Sequence, residues 1–438
     1  MALPDFPDPE LNAGAAMPGL SEALAKAIGE NGQQELLSNI EIPLSFVLAQ
    51  MEHIGFYVDK DSIRAYGEEL ETQVQALHDS IIEQVGYEFN INSPKQLGEA
   101  LFDKLGLPHG KKTKSGWSTN ADVLEEVRYL HPVVDEVLRY RTVAKLKSTY
   151  CDGLLKVIGS DGRIHSSFNQ TETRTGRISS TEPNLQNIPV RTAIGRELRK
   201  FFAGADGNLL VDADYSQIEL RVLAHVADDK AMQEDFREGR DIHSSTAARV
   251  FNMPQEMVTS EMRSKAKAVN FGIVYGIGAF SLSKDIGVSR KEADEYIKEY
   301  LRNYSGVDAY MKRVVEEAKE KGYVETLFGR RRYLPELKSG NFNMRAFGER
   351  VARNMPIQGT AADIIKIAMI RVSDRLEREG LKAKLILQVH DELIVECPPE
   401  ERDQVKEILT QEMEGAVNLS VPMVAEAGSG HTWYDAKG

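Results

Sequence analysis

Between Ile63 and Ile81 the apolar residues Ile63, Tyr66, Leu70, Val74, Leu77 and Ile81 fall three and four apart. That spacing lines one face of a helix, so a long amphipathic helix is predicted, ended by Gly86. Ser93-Pro94-Lys95-Gln96 has a capping-box pattern with Pro at the first helical position and predicts another helix start. Residues 110–120 (GKKTKSGWSTN) then read as a basic, glycine-containing loop between helices. Residues 36–150 thus look like a helical arm with a positively charged tip. From about residue 155 the pattern changes. Residues 208–214 (NLLVDAD) are an apolar run closed by acids, which predicts a buried strand, and Ile218–Val226 has helical spacing. Residues 231–334 read as mostly helical, with a capping box at Ser289 and Glu292. Thr259 or Ser260 is placed to cap the helix that contains Arg263. Lys384–Val389 and residues 393–396 are apolar runs around His390-Asp391-Glu392, which predicts a β-hairpin with acids at its turn. Strand material therefore flanks a long helical insertion. Residues 1–35, rich in Pro, Gly, Ala and acid, read as a tail or leftover linker.

Composition narrows the class. The 438 residues suffice for two or three domains or one large subdivided one, and 42% hydrophobic with 28% charged residues describes a folded chain. No apolar run approaches the length of a bilayer, and the N-terminus lacks the basic and apolar regions of a secretory signal. Cys151 and Cys397 make neither a metal cluster nor a disulfide framework, which suits a reducing cytoplasm. A net charge of −13 argues at first sight against a nucleic-acid partner, but phosphate binding depends on local charge. Acids are concentrated in residues 1–35. Basic residues gather at Lys111, Lys112 and Lys114; at Arg191, Arg196, Arg199 and Lys200; at Arg263, Lys265 and Lys267; and at Arg330, Arg331 and Arg332. Singly, each group is ordinary solvated surface; together they matter where they border a catalytic site.

Asp214 closes the expected buried strand and Asp391 sits at the expected hairpin turn. Each has an ordinary explanation, because Asp side chains bond nearby backbone N–H groups at strand ends and turns. A carboxylate pair from separate strand ends is also what a hard cation such as Mg²⁺ takes, together with substrate phosphate oxygens. Two such ions would clamp the attacking and leaving oxygens of an in-line phosphoryl displacement. Residues 263–276 (RSKAKAVNFGIVYG) add to this. Arg263, Lys267, Phe271 and Tyr275 are spaced four apart and share one helical face: two cations, then two aromatic rings. The cations suit a triphosphate and the rings a base. The plainer alternative is an amphipathic helix with both rings in the core. Gly272 and Gly276, on the adjoining face, would let another backbone or a base come close.

Residues 212–221 (DADYSQIELR), 263–276 and 388–392 (QVHDE) resemble motifs A, B and C of family A DNA polymerases. Residues 92–108, 175–191 (TGRISSTEPNLQNIPVR) and 354–366 (NMPIQGTAADIIK) resemble the same family, in the same order, from about residue 36 to the C-terminus. The resemblance implies an α+β right hand with an antiparallel-sheet palm. Residues 36–150 would be the thumb, 151–230 and 335–438 the palm, and 231–334 fingers inserted into the palm; residues 1–35 would be a tail or the remnant of a preceding domain. It implies addition of a deoxynucleotide to a primer 3′-hydroxyl with release of pyrophosphate. Asp214 and Asp391, helped by the Tyr215 carbonyl, would ligate two Mg²⁺ ions, for which Mn²⁺ is a substitute, with Glu392 in support. Arg263, Lys267, His243 and Gln217 would surround the nucleotide, Lys267 serving as the acid for departing pyrophosphate. Phe271 would pack on its sugar and base, Tyr275 would stack at the template position, and Glu219 would exclude a ribose 2′-hydroxyl. Lys147, the 111–114 loop, Arg177, Arg350, Asn354, Gln358 and His390 would touch primer–template DNA. A bacterial, cytoplasmic, nucleoid-associated monomer is implied, without a membrane partner.

Two departures stand out. Only about 35 residues precede the match, too few for the proofreading-exonuclease-like domain of the polymerase I large fragment, so a truncated or naturally short form without 3′–5′ proofreading is expected. Gly278 stands where relatives often carry Ser. Two other readings compete: a non-catalytic nucleic-acid-binding subunit on the same fold, which would have lost Asp214, Asp391 and Lys267, and an enzyme that prefers RNA templates or ribonucleotides, which Glu219 opposes for ribonucleotides.

Overall fold

A computed structural model describes residues 9–108, 112–113, 116–188 and 193–437. Its centre is an antiparallel sheet of β1 (Leu209–Tyr215), β2 (Lys384–Val389), β3 (Glu392–Cys397) and β4 (Ala425–Gly430), in spatial order β2-β3-β1-β4. The inner strands are apolar because helices cover the sheet. Leu210, Val211 and Ala213 of β1 are buried, as are Leu393, Ile394 and Val395 of β3. Register pairs Leu393 with Ala213 and Val395 with Val211, which sets Glu392 directly opposite Asp214.

The principal helices are α1 (Pro9–Glu30), α2 (Ile42–Ile54), α3 (Lys60–Val85), α4 (Ile218–Val226), α5 (Ile242–Val250), α6 (Ser260–Val274), α7 (Arg290–Asn303), α8 (Phe342–Arg378), α9 (Arg402–Glu414) and α10 (Trp433–Lys437). α8 packs on α4, α2 and β2, and α9 packs on β1 and β4. α3 starts at Asp59, whose side chain accepts from the Ser62 N–H, and stops at Gly86 in the left-handed conformation, as its spacing predicts. The β1 strand, α4, the hairpin around Asp391 and the Ser289–Glu292 capping box also appear where the pattern places them.

Four expectations change. Pro9–Glu30 is helical rather than an irregular tail. Ala, Leu and Glu favour helix strongly enough to form it although Leu20 and Leu24 stay half-exposed. Ser93 caps the Gln96 N–H, but the Gln96 side chain accepts from Asn90 N–H at 2.7 Å, so the reciprocal half of a capping box is missing. The loop after residue 110 contains a short hairpin pairing Lys112–Thr113 with Gly116–Trp117, while Lys111 and Lys114 lie outside the described residues, as does Arg191. Finally, residues 36–150 do not share one core. Val47, Met51, Ile63 and Leu70 join the core of the sheet, and the far half of α3, with Ile81 and Val85, joins Leu97, Leu101, Leu124 and Val137 in a separate helical core. A helix of 26 residues is long enough to serve both. No helix among the described residues is long and apolar enough to cross a membrane.

Candidate active site

The β2–β3 turn and the end of β1 bring the two aspartates of the sequence analysis together. The Tyr215 N–H donates to the Asp391 carbonyl at 3.1 Å, tying the strand end to the turn. His390 enables the tight turn with a left-handed φ of 51°, and its carbonyl accepts from the Gln388 side chain at 2.7 Å. Burial pushes the Asp391 carboxyl up to about 7, with Glu219 and Asp214 adding to the shift. Asp212, fully buried two residues before Asp214, is likewise pushed up to about 7 by burial, then by Glu392. Asp212 Oδ1, Glu219 Oε2 and Glu392 Oε2 are buried without a hydrogen-bond partner. The site therefore concentrates more negative charge than its own cations neutralise.

Besides Arg177, which bonds Glu219, two cations meet that charge: Lys437, which no sequence motif marks, and Arg199, marked there only as one of a basic group. Lys437 Nζ bridges Glu392 and Asp214, lying 2.9 Å from Asp214 Oδ2. It arrives because α10 lies hard against β4, where a Cβ on Gly428 would sit 2.0 Å from the Ala436 carbonyl oxygen. Arg199 is buried over the Trp433 ring at 4.1 Å, and Trp433 Nε1 donates to Asp212 at 3.2 Å. The only sequence signals were the glycines of GSGHTWYDAK and the alternating acids of DAD. Among the described residues, no three His, Cys, Asp or Glu side chains form a metal site by themselves. Two carboxylates and a main-chain carbonyl still suit a hard cation that takes its remaining oxygens from substrate, and the unsatisfied acids are chemically consistent with one.

Thr259 caps α6, and its helical face carries the four expected residues. Arg263 donates to Asp241 through Nε at 3.1 Å and Nη2 at 2.7 Å. Lys267, Phe271, Tyr275 and Arg350 line a cleft of about 1030 Å³. Phe271 is only partly buried and Tyr275 is exposed, so the rings are not core residues. They stack at 6.4 Å with 16° between planes. His243 is buried behind Phe271, its ring centroid 5.8 Å away; burial lowers its imidazole to about 4. The expected role of Gly272 changes: Ile277 fills the space beside it, leaving no room for a base. Gly276 adopts φ +67° against the Arg350 side chain.

Glu219, in the first turn of α4, accepts from Arg177 and from the Tyr275 hydroxyl. Burial raises its carboxyl, while burial followed by the Glu219 charge pushes the Tyr275 phenol up to about 12. Gln217 caps α4 in the left-handed conformation, with its Oε1 buried and unpartnered. Asn354 donates to the Tyr275 carbonyl at 3.2 Å, and Gln358 follows one turn later on α8. Arg177, His390 and Asp391 line a small cavity of about 60 Å³ against α8. Lys147 stands apart, held between Glu71 and Asp152 at 2.9 Å each. Of the other basic groups, Arg330 is internal and Arg331 pairs with Glu325.

The sequence model of DNA polymerase family A matches residues 60–435. DNA polymerase I of Geobacillus stearothermophilus is 53% identical over 425 residues, which is 97% of this chain and 48% of the relative. DNA polymerase I of Bacillus subtilis is 52% identical over 424 residues, 96% of this chain and 48% of the relative. The chain thus spans about half the length of these curated relatives. A solved structure of the POL domain of Pol1 from M. smegmatis, in complex with DNA primer-template and dNTP, superposes with a TM-score of 0.92 at 42% identity, covering 98% of this chain and 76% of that one.

Proposed function

The chain belongs to DNA polymerase family A, and from that premise we propose that it is a template-directed DNA polymerase, transferring deoxynucleotides to a primer 3′-hydroxyl. The observation that carries this reading is the contact between the helix face and the acid cluster. Tyr275, at the end of the Arg263–Tyr275 face, hydrogen-bonds Glu219, and the Glu219 charge acts in turn on the buried Asp391 carboxyl beside Asp214. The complex formed by the similar mycobacterial domain supports primer-template DNA and dNTP as the ligands. In this reading the sheet with α4, α8 and α9 is the palm, residues 231–334 with α5–α7 the fingers, and residues 36–150, which carry the separate helical core, the thumb.

The primer 3′-oxygen attacks the nucleotide α-phosphorus in line, and the bond to the β-phosphate oxygen breaks. Asp214, Asp391 and the Tyr215 carbonyl would hold the divalent cations, with Mg²⁺ the natural choice. When bound, these ions acidify the primer hydroxyl and neutralise the leaving pyrophosphate. Arg263 and His243 hold the triphosphate, and Lys267 delivers a proton to the departing pyrophosphate oxygen. Phe271 packs on the nucleotide, and Tyr275 occupies the template stacking position until the cleft closes. Glu219, fixed by Arg177 and Tyr275, fills the space a 2′-hydroxyl needs. Arg350, Asn354, Gln358 and His390 follow the duplex, where minor-groove donors check pair geometry without reading sequence.

Primer extension with Mg²⁺ and deoxynucleotides tests the proposal. Asp391→Ala should lower the rate by at least about 10³-fold while the chain remains folded by circular dichroism. A folded Asp391→Ala protein that extends primers at the parent rate would refute it.

A further inference from the structure

His243 has two ring nitrogens, and only one is accounted for. Nδ1 lies 2.9 Å from Asn270 Nδ2, whereas Nε2 is buried with no partner. Asn270, on the inner face of α6, has its Oδ1 3.1 Å from the Thr246 hydroxyl. That hydroxyl lies 3.2 Å from the phenol oxygen of Tyr304, just beyond α7. All four side chains are 1% exposed or less, so bulk solvent does not reach these bonds.

We propose that Tyr304, Thr246 and Asn270 form a one-way hydrogen-bond relay that fixes His243 in the Nε2–H tautomer, making it a neutral donor aimed at a nucleotide phosphate.

The direction follows from proton counting. A buried phenol needs an acceptor, and Thr246 Oγ1 is the one it contacts among the described residues. If Tyr304 donates to Thr246, the Thr246 proton goes to Asn270 Oδ1. The Asn270 amide then turns its NH₂ group to His243, and Nδ1 is an acceptor. The ring proton is left on Nε2. The reversed chain would strand the phenol proton and present a bare Nε2 to a phosphate oxygen, two acceptors facing each other. Burial outweighs the nearby Asp241 charge, which favours the cation, and with the Arg263 and Lys267 charges keeps the ring neutral at physiological pH. An imidazolium is therefore not needed for donation. Asn270, Thr246 and Tyr304 are positioning residues, since none of them is asked to touch the nucleotide.

The inference rests on the polymerase reading for its ligand, but its first test does not. Nitrogen-15 shifts of the imidazole, assigned by difference against His243→Gln in the full chain, should show Nε2 protonated and Nδ1 bare at neutral pH. Thr246→Val keeps the shape and removes the hydroxyl that orients Asn270. It should mix or invert the tautomer and weaken dNTP binding, measured on a dideoxy-terminated primer-template, by roughly tenfold. Thr246→Ser should restore both properties. In the His243→Gln background, Thr246→Val should add no further loss. An Nδ1–H ring in the parent protein overturns the proposal, as does unchanged tautomer and affinity in Thr246→Val. If Thr246→Val misfolds, the parent spectrum and the Thr246→Ser affinity still decide. Failure of the polymerase reading itself would appear separately, as absent primer extension by the parent chain.

Discussion

Asp241 performs two tasks at once. Its carboxylate caps α5 by accepting from the Ser244 N–H and also grips Arg263 through two bonds. Burial alone would raise this carboxyl, yet the hydrogen bonds from Arg263 and Ser244 outweigh it and hold the group down to about 2. A carboxyl held below its unfolded value of 3.8 stabilises the fold above that pH and gives the stabilisation up as the pH falls toward 2. Both partners are more than a third exposed, so the contribution is discounted to about 1–2 kcal/mol. Asp241→Ala should lose that amount in urea denaturation at neutral pH, and the gap to the parent should close in acid. Asp241→Asn, which retains a capping oxygen, should lose about half as much. An acid-independent gap would show that the ion pair and cap contribute nothing through ionisation. At this scale the sequence was most legible where a residue's work is local. The spacing of Arg263, Lys267, Phe271 and Tyr275, and the strand-end position of Asp214, follow from periodicity alone. Asp241, Asn270 and Asp212 were not legible, because their importance lies in partners that only packing supplies.

The sequence pattern predicts no element after residue 396, and of those found there α10 bears most on the site. Five residues carry no periodicity worth reading, and its lysine belongs to no motif. Its placement depends on Gly428 and Gly430, where side chains would collide with the helix. The consequence reaches the site. Asp214 and Glu392 stand directly opposite each other across β1 and β3, a like-charge pairing that costs stability unless a cation intervenes. Lys437 is that cation. Lys437→Met should therefore lower the melting temperature most in the presence of a chelator. Added Mg²⁺ should recover a larger share of stability than in the parent, because the ion then binds acids with no internal competitor. Equal Mg²⁺-induced shifts in the two proteins, followed by thermal unfolding, would remove Lys437 from this role. The longer elements were easier to read: α3, α4 and the β2–β3 hairpin each pair a strong periodicity with a stop signal.

Across the whole molecule, a buried ionic network joins segments that are far apart in the chain. Glu41, before α2, accepts from Arg330 and from Lys366 Nζ, the latter at 2.9 Å. Arg330 also donates to Asp363 at 2.8 Å, and Thr326 completes that carboxylate at 2.7 Å. Gln170 donates to Glu41 at 2.7 Å, and the Arg330 side chain lies against Gly176, the neighbour of Arg177. The network thus braces the loop that brings Arg177 to Glu219. The sequence alone presents the Arg330–Arg332 run as solvated surface unless it borders a catalytic site, and no sequence rule finds a glutamate 289 residues away. Asp363 and Lys366 are almost wholly buried, so the set is held by charge balance: two acids against two bases. Glu41→Gln leaves Arg330 and Lys366 facing Asp363 alone. Such an uncompensated buried charge should cost about 3–5 kcal/mol in denaturant unfolding. Replacing Lys366 by Met in the same protein restores balance as an Arg330–Asp363 pair. The double variant Glu41→Gln/Lys366→Met should therefore be more stable than Glu41→Gln alone, even though it carries one more substitution. Simple addition of the two single losses would mean that the four charges do not act as a unit. If they do, Glu41→Gln should also loosen Arg177 and weaken primer-template binding, and the double variant should recover that binding in step with its stability.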